Sequence, residues 1–99
     1  MRTLIKVEYV DNEAINQRIA DGTLTKTLQG IMSHLKPEAA YFCPTGGHRC
    51  AYLFVDLPDE ASLVPFIEPF WELQAEVTVT PCMNAEDLAT GLGRISDSG

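Results

Sequence analysis

Basic residues are scarce in this chain. Its 99 residues include seven Lys and Arg but fourteen Asp and Glu, which gives a formal net charge of −7 at pH 7. A negative surface is repelled by the phosphates of nucleic acids and by the anionic face of a membrane. We therefore expect neither a nucleic acid nor a membrane as a partner.

Long apolar runs are also missing, and cysteine is sparse. No stretch approaches the ~18 apolar residues that a transmembrane helix needs. Lys6 and Glu8 interrupt the N-terminal segment, where a signal peptide would require continuous apolar residues. The three cysteines, Cys43, Cys50 and Cys82, are odd in number. Without an export signal they are expected to be reduced thiols, so we predict a cytoplasmic protein.

The remaining composition is typical of one globular domain. Apolar residues make up 45% of the chain and charged residues 21%, and single domains run about 100–150 residues. We predict one domain over residues 1–92. Residues 93–99 offer few side chains that could pack, so they are predicted to form a disordered tail.

The N-terminal third shows first a strand pattern and then a helix pattern. Polar and apolar residues alternate over residues 3–10, which predicts a strand. Apolar residues then recur at helical spacing until Pro37, which cannot follow a helical residue without a clash. Asp21 and Gly22 interrupt this pattern. The segment is either one helix with a weak point or two helices, the second capped by Thr23.

The middle of the chain predicts a hairpin. Two apolar runs, residues 39–43 and 49–57, are separated by a loop that contains Gly46 and Gly47. Paired glycines between two such runs are typical of a β-hairpin.

A second helix and a fourth strand follow the hairpin. Pro65 and Pro69 conflict with a straight helix, because proline removes a backbone donor, so we expect a kink or a restart at Pro65. Residues 75–82 alternate again and contain a proline, which suits an edge strand. Asn84 is expected to cap a short last helix. The apolar stripe of the second helix is Leu63, Phe66, Ile67, Phe70 and Trp71.

The order of these elements predicts an α+β fold of the ferredoxin-like βαββαβ type, with a short C-terminal helix. Right-handed crossovers place both long helices on one face of a four-stranded antiparallel sheet with strand order 4-1-3-2. The third strand is apolar on both faces, with Leu53 and Val55 on one and Tyr52 and Phe54 on the other. Since the helices cover one face only, a second copy of the chain is expected to cover the other in a twofold homodimer. The alternative is a monomer with Tyr52 and Phe54 partly exposed.

The segment from Arg49 to Leu88 resembles the dimeric α+β barrel superfamily, in particular its small bacterial members. The shared features are a strand ending in an acidic residue (Asp56), a helix with a tryptophan near its end (Trp71), a V-x-V-x-P strand (residues 77–81) and a short closing helix from Asn84. The resemblance implies a dimeric barrel. Better-known members are cofactor-free monooxygenases, small isomerases, haem enzymes and ligand-binding regulators, and no motif here transfers their catalytic residues.

Candidate site residues follow from the predicted faces. If the apolar side of the first strand meets the helices, Lys6 and Glu8 face the dimer cavity. Charged groups placed there would need partners and would indicate a site. His48 and Tyr52 are weak catalytic candidates, since histidine titrates near neutral pH. The candidate binding residues are Lys6, Glu8, Tyr52, Phe54, Trp71, Thr78 and Thr80.

Each candidate has a structural alternative. Lys6 and Glu8 could pair with each other or with Glu76 at the wet end of the interface. His48 could be a solvated loop residue without an orienting carboxylate. Trp71 lies at helical spacing with the core residues of its helix, which favours a core position.

The cysteines superficially resemble a zinc site. A hairpin would bring Cys43, His48 and Cys50 together, with Cys82 as a fourth ligand, but C-x4-H-x-C is not an established ligand spacing. We predict no metal and no cofactor. The sequence thus predicts a homodimer that binds a small apolar or aromatic organic ligand. The alternatives are an enzyme of the cofactor-free monooxygenase or isomerase kind and a structural dimer without a pocket.

Overall fold

The computed structural model describes residues 1–98 as an α+β fold, with one open, four-stranded antiparallel sheet and four helices. The strand order is β2-β3-β1-β4, which is the predicted order read from the opposite edge. The α+β class and the strand order are therefore confirmed. The elements are β1 (Arg2–Tyr9), α1 (Asn12–Ala20), α2 (Thr23–Leu35), β2 (Ala39–Thr45), β3 (His48–Asp56), α3 (Leu63–Glu72), β4 (Glu76–Pro81) and α4 (Ala85–Ser98).

β1 lies in the centre of the sheet and sets the register of its neighbours. Lys6 is directly opposite Tyr52 of β3 on one side and Thr78 of β4 on the other. Because side chains alternate between the two faces of a strand, these three residues share one face. Ile5, opposite Leu53, faces the other way.

A glycine divides the helical segment after β1 into two helices. Gly22 has a φ of 81°, a left-handed conformation that glycine adopts without strain, and it is the N-cap of α2. The Asp21 carboxylate accepts a hydrogen bond of 2.8 Å from the Thr23 amide. The two-helix alternative is confirmed, but the cap is Gly22 and not Thr23.

The hairpin turn contains two residues only. Gly46 and Gly47 have φ values of 62° and 82°, and positive φ at both central positions is what a type I′ turn requires. β2 therefore extends through Pro44, which the sequence placed in the loop. Proline is tolerated there because β2 is an edge strand.

α3 begins as a restart after a short turn. Residues 60–62 form a 3-10 turn, and the Asp59 carboxylate accepts a hydrogen bond of 3.0 Å from the Ser62 amide. α3 then starts at Leu63, so Pro65 falls in its first turn, where the proline costs no helical hydrogen bond. The helix therefore begins two residues before Pro65, where the restart was predicted, and Pro69 is accommodated inside the helix.

The core lies between α1, α2 and α3 and one face of the sheet. Burying each large apolar side chain completely contributes about 1.5–3 kcal/mol. Because these three helices share one core with the sheet, they cover the same face. The main core residues are Ile5, Val7, Tyr9, Ile15, Ile31, Leu53, Val55, Phe66 and Phe70.

Trp71 is not a core residue. Its exposed fraction is 55%, whereas the preceding Phe70 is fully buried. Successive residues differ by about 100° around a helix, and the face of α3 that meets the sheet is already filled by Phe66 and Phe70. The core interpretation of Trp71 is therefore wrong.

α4 is longer than the sequence predicted. The helix was expected to end near Leu92, but residues 93–98 continue it, and Gly99 of the predicted tail lies outside the described residues. Asn84 and Asp87 exchange side-chain-to-amide hydrogen bonds of 2.8 and 3.0 Å, a reciprocal cap at its start. Apolar residues then continue at helical spacing to Ile95. A disordered tail over residues 93–98 is therefore not what the structure shows.

The apolar stripe of α4 remains exposed. Leu88, Leu92 and Ile95 follow each other at spacings of four and three residues, and all three are exposed. The radius of gyration is 16.3 Å, against about 13 Å for a compact chain of 100 residues. The helix thus extends away from the body of the domain. No helix in the part of the chain that the structure describes is long and apolar enough to cross a bilayer.

Candidate functional site

The sheet face opposite the core is here called the open face. Within residues 1–98, helices α1, α2 and α3 all lie on the other side of the sheet, and the apolar residues of α4 are exposed. By register and alternation it carries seven of the eight residues that the sequence singled out. Trp71 is the exception, because it lies on α3, on the other side of the sheet. The seven residues are Lys6, Glu8, His48, Tyr52, Phe54, Thr78 and Thr80.

Aromatic side chains make part of the open face apolar. Tyr41 of β2 and Phe54 of β3 pack edge to face, with ring centroids 6.4 Å apart. Tyr41 is 62% exposed, and Leu4 lies opposite Phe54 in the register of β1 and β3. Sequence reasoning missed Tyr41, although the hairpin register, which places it opposite Tyr52, would have found it.

A histidine–carboxylate pair lies at one end of this face. His48 Nδ1 is 2.8 Å from Glu8 Oε1, and both side chains are partly buried. A carboxylate beside Nδ1 holds the proton on that nitrogen and leaves Nε2 directed elsewhere. His48 is therefore the first residue of β3 with an orienting partner, so its interpretation as a solvated loop residue is wrong. Glu8 pairs with His48 and not with Lys6 or Glu76.

Tyr52 is held close to the same end of the sheet. Its hydroxyl lies 2.9 Å from Thr45 Oγ1, and Thr45 is directly opposite His48 in the hairpin. We call Glu8, Thr45, His48 and Tyr52 the His48 cluster. It places an imidazole, a phenol and a threonine hydroxyl on one exposed face, where together they can donate and accept hydrogen bonds. Lys6, opposite Tyr52, has no ion-pair partner within 4 Å among residues 1–98.

A pocket lies on the other side of the sheet, between α2 and the hairpin. Its volume is about 270 Å³. The sequence analysis did not predict a cavity beside Tyr9. No local sequence pattern could indicate this pocket, because it forms between segments that are far apart in the chain. We call it the Tyr9 pocket; its lining residues are Tyr9, Leu24, Leu28, Phe42, Cys43, Pro44, Arg49 and Cys50.

The three cysteines are free thiols in different environments. Cys43 is exposed and Cys82 half-buried, while Cys50 is buried and its thiol lies 3.9 Å from the Thr45 carbonyl oxygen. Within the described residues no three His, Cys, Asp or Glu side chains are grouped so that they could hold a metal ion. The thiols therefore belong to no cluster with His48.

No protein-family model matches this sequence, and no curated protein matches it. The resemblance to the dimeric α+β barrels thus stays an expectation. The function has to be argued from the geometry of the open face and of the pocket.

Proposed function

We propose that this protein is a homodimer of ferredoxin-like protomers, which pair through their open faces as a dimeric α+β barrel. It binds a small apolar or aromatic molecule between the two sheets. The observation that carries the proposal is the His48–Glu8 pair at 2.8 Å on an aromatic sheet face that the domain's own helices leave uncovered.

The aromatic residues of the open face support a second copy as the covering partner. A sheet with one solvated face normally carries polar residues there, whereas Tyr41 and Phe54 place two rings on it. An isologous dimer buries the same patch on both protomers, so one apolar face is sufficient for a closed assembly.

The size of the interface supports a contribution from α4. Four strands about 4.8 Å apart and about 23 Å long give the open face a projected area of about 400 Å². A stable interface buries about 800 Å² per partner. α4 has 14 residues and is therefore about 21 Å long, close to the length of the strands. Its exposed stripe of Leu88, Leu92 and Ile95 can supply the missing apolar area against the partner.

The His48 cluster defines the chemistry of the ligand. His48 Nε2 and the Tyr52 hydroxyl offer hydrogen bonds to a polar substituent, while Tyr41 and Phe54 offer ring edges and faces for stacking. Enclosure between two sheets would strengthen these hydrogen bonds, because the local dielectric falls. A phenol or an aromatic carbonyl compound matches both features.

The oligomeric state is tested first, by light scattering of the reduced protein at two concentrations. We expect a mass of twice 10.9 kDa that does not change on dilution. Phe54→Lys should give monomers, because it places a charge inside the interface. Trp71→Lys is the matched control, since Trp71 is exposed on the other side of the sheet, and it should remain dimeric. A wild-type mass of 10.9 kDa at both concentrations overturns the proposal.

Ligand binding is tested with phenol, followed by NMR chemical shifts of the sheet. We expect saturable shifts at Tyr52 and its neighbours, and about tenfold weaker binding to His48→Asn, since one hydrogen bond to a polar group is removed. The Trp71→Lys control should bind as the wild type does. A stable dimer that shows no saturable shifts with phenol would support the alternative of a structural dimer without a ligand pocket.

A second candidate function is proton transfer of the isomerase kind, and the orientation of His48 by Glu8 favours it. Nε2 would take a proton from the carbon next to a carbonyl group and return it to the γ-carbon, while the double bond moves into conjugation. The test is the conversion of a β,γ-unsaturated ketone, followed by NMR in D2O. We expect deuterium at the γ-carbon with the wild type and none above background with His48→Gln. Equal rates for both proteins would exclude this role.

A further inference from the structure

We infer that the Tyr9 pocket is a second binding site, separate from the open face, and that it takes a small molecule with an apolar body and a carboxylate group. It lies on the helix side of the sheet, between α2 and the hairpin. The inference does not depend on the proposed function, because no residue of the His48 cluster lines this pocket.

The walls of the pocket fit an apolar body. Leu24 and Leu28 come from α2, and Phe42 and Pro44 come from the edge strand β2. Phe42 faces the helix side of the sheet, opposite Ala51, yet it is exposed. The volume of about 270 Å³ is just below the range of about 300–1,000 Å³ that is usual for small-molecule sites. A single aromatic ring with a short substituent is therefore a suitable size.

The Tyr9 hydroxyl supplies an unused hydrogen-bond donor. Tyr9 is 6% exposed, and its buried hydroxyl has no partner among residues 1–98. Buried polar groups in native proteins are nearly always paired, because an unpaired group loses its hydration without compensation. Burial also raises the pKa of Tyr9 to about 12. The phenol is therefore protonated at neutral pH and can donate to an acceptor on a ligand.

Arg49 favours an anionic group as the hydrogen-bond acceptor on the ligand. It is directly opposite Tyr9 in the register of β1 and β3, so the two side chains leave the sheet as neighbours on the same face. Arg49 Nη2 donates to Asn16 Oδ1 at 3.0 Å, which orients the guanidinium. A guanidinium carries five N–H donors, so several remain for a ligand. A carboxylate can accept from Arg49 and from the Tyr9 hydroxyl together, which is the arrangement that charge-assisted hydrogen bonds favour.

Phenylacetate and the neutral, nearly isosteric phenylacetamide are the probes for this site. Binding is followed through the methyl NMR signals of Leu24 and Leu28. We expect saturable shifts of these signals with the wild type and a preference for the acid. Arg49→Gln should reduce that preference about tenfold or more, because hydrogen bonds to charged groups are the stronger ones. Lys26→Gln is the control, since it removes a cation from α2 that does not line the pocket.

Tyr9→Phe tests the donor separately, since it removes one oxygen atom and keeps the ring. It should weaken the binding of both probes about tenfold, whereas His48→Asn should leave both affinities unchanged. The inference is overturned if neither probe shifts Leu24 and Leu28, or if the wild type, Arg49→Gln and Tyr9→Phe bind phenylacetate equally. Shifts confined to the open face would also overturn it, and would assign the ligand to the His48 cluster instead.

Discussion

Replacing Tyr9 by Phe should stabilise the protein without ligand. The Tyr9 hydroxyl is buried and has no partner within residues 1–98, and an unpaired buried polar group costs about 1–3 kcal/mol. Phenylalanine keeps the ring and its packing against the core. We therefore expect the free energy of unfolding to rise by about 1 kcal/mol or more. For a domain of this size, that raises the melting temperature by roughly 4–8 °C.

The pH dependence gives an independent check of the same burial. The pKa of Tyr9 is raised from 10.0 to about 12 by desolvation in the folded state. Below pH 10 both states bind this proton, so Tyr9 adds no pH dependence. Between about pH 10 and 12 the unfolded state releases the proton first, and stability is lost as the pH rises. The free energy of unfolding falls by at most roughly 2–3 kcal/mol over this range. The Tyr9→Phe protein should not show this loss, because it has no phenol at this position.

Urea denaturation at neutral pH and at pH 11 measures both effects. Tyr41→Phe is the control, since Tyr41 is 62% exposed and has no buried hydroxyl to relieve. Lysine titration affects all three proteins equally, so the difference between wild type and Tyr9→Phe reports on Tyr9 alone. A Tyr9→Phe protein that is less stable than the wild type at neutral pH would refute the reasoning, because it would mean that the hydroxyl has a favourable partner.

Three further predictions concern the turn, the core and the last helix. Gly47→Ala should lower the free energy of unfolding by about 1–2 kcal/mol, because alanine is strained at a φ of 82°. Gly93→Ala, in the exposed part of α4, should instead raise it slightly. Urea denaturation measures both changes. Phe70→Ala should lower the free energy of unfolding by about 3–5 kcal/mol, and Trp71→Ala should lower it much less, since of the two only Phe70 is fully buried. Equal losses of stability would contradict the burial assigned to α3. For the proposed homodimer, Leu92→Asp should halve the mass in light scattering and leave the circular dichroism of the protomer intact. A dimer mass that does not change would show that α4 takes no part in the proposed interface.

The His48–Glu8 pair shows which properties of the site could be predicted from the sequence and which depend on the tertiary structure. The residue types and the strand face of Glu8 could be predicted from the sequence, because alternation with period two is a local property. Forty residues separate Glu8 from His48, and whether they meet depends on the register of β1 against β3 and on a hairpin turn of only two residues. A loop of five residues, as the sequence suggested, would have left His48 in solvent.

α4 and Trp71 show the same difference between what the sequence predicts and what the tertiary structure decides, here for helical residues. The apolar stripe of α4 continues to Ile95, so its length could have been predicted, but Gly91 and Gly93 lower the intrinsic helix propensity there. Trp71 has the spacing of a core residue, yet Phe66 and Phe70 already fill the face of α3 that meets the sheet, and Trp71 remains exposed. Periodicity assigns a residue to a face, whereas burial depends on what lies opposite that face.

The sequence by itself determined the α+β class, the order of the strands, the alternation of faces along each strand, the interruption of the helical pattern at Asp21 and Gly22, and the hairpin glycines. These features follow from hydrophobic period and backbone preference, which are encoded within a few neighbouring residues. Only the tertiary structure decided that Glu8 orients His48, that Tyr9 has an unpaired hydroxyl beside a pocket, and that α4 remains exposed. Each of these depends on contacts between distant segments, whose geometry exists only once the strands are in register and the helices are packed.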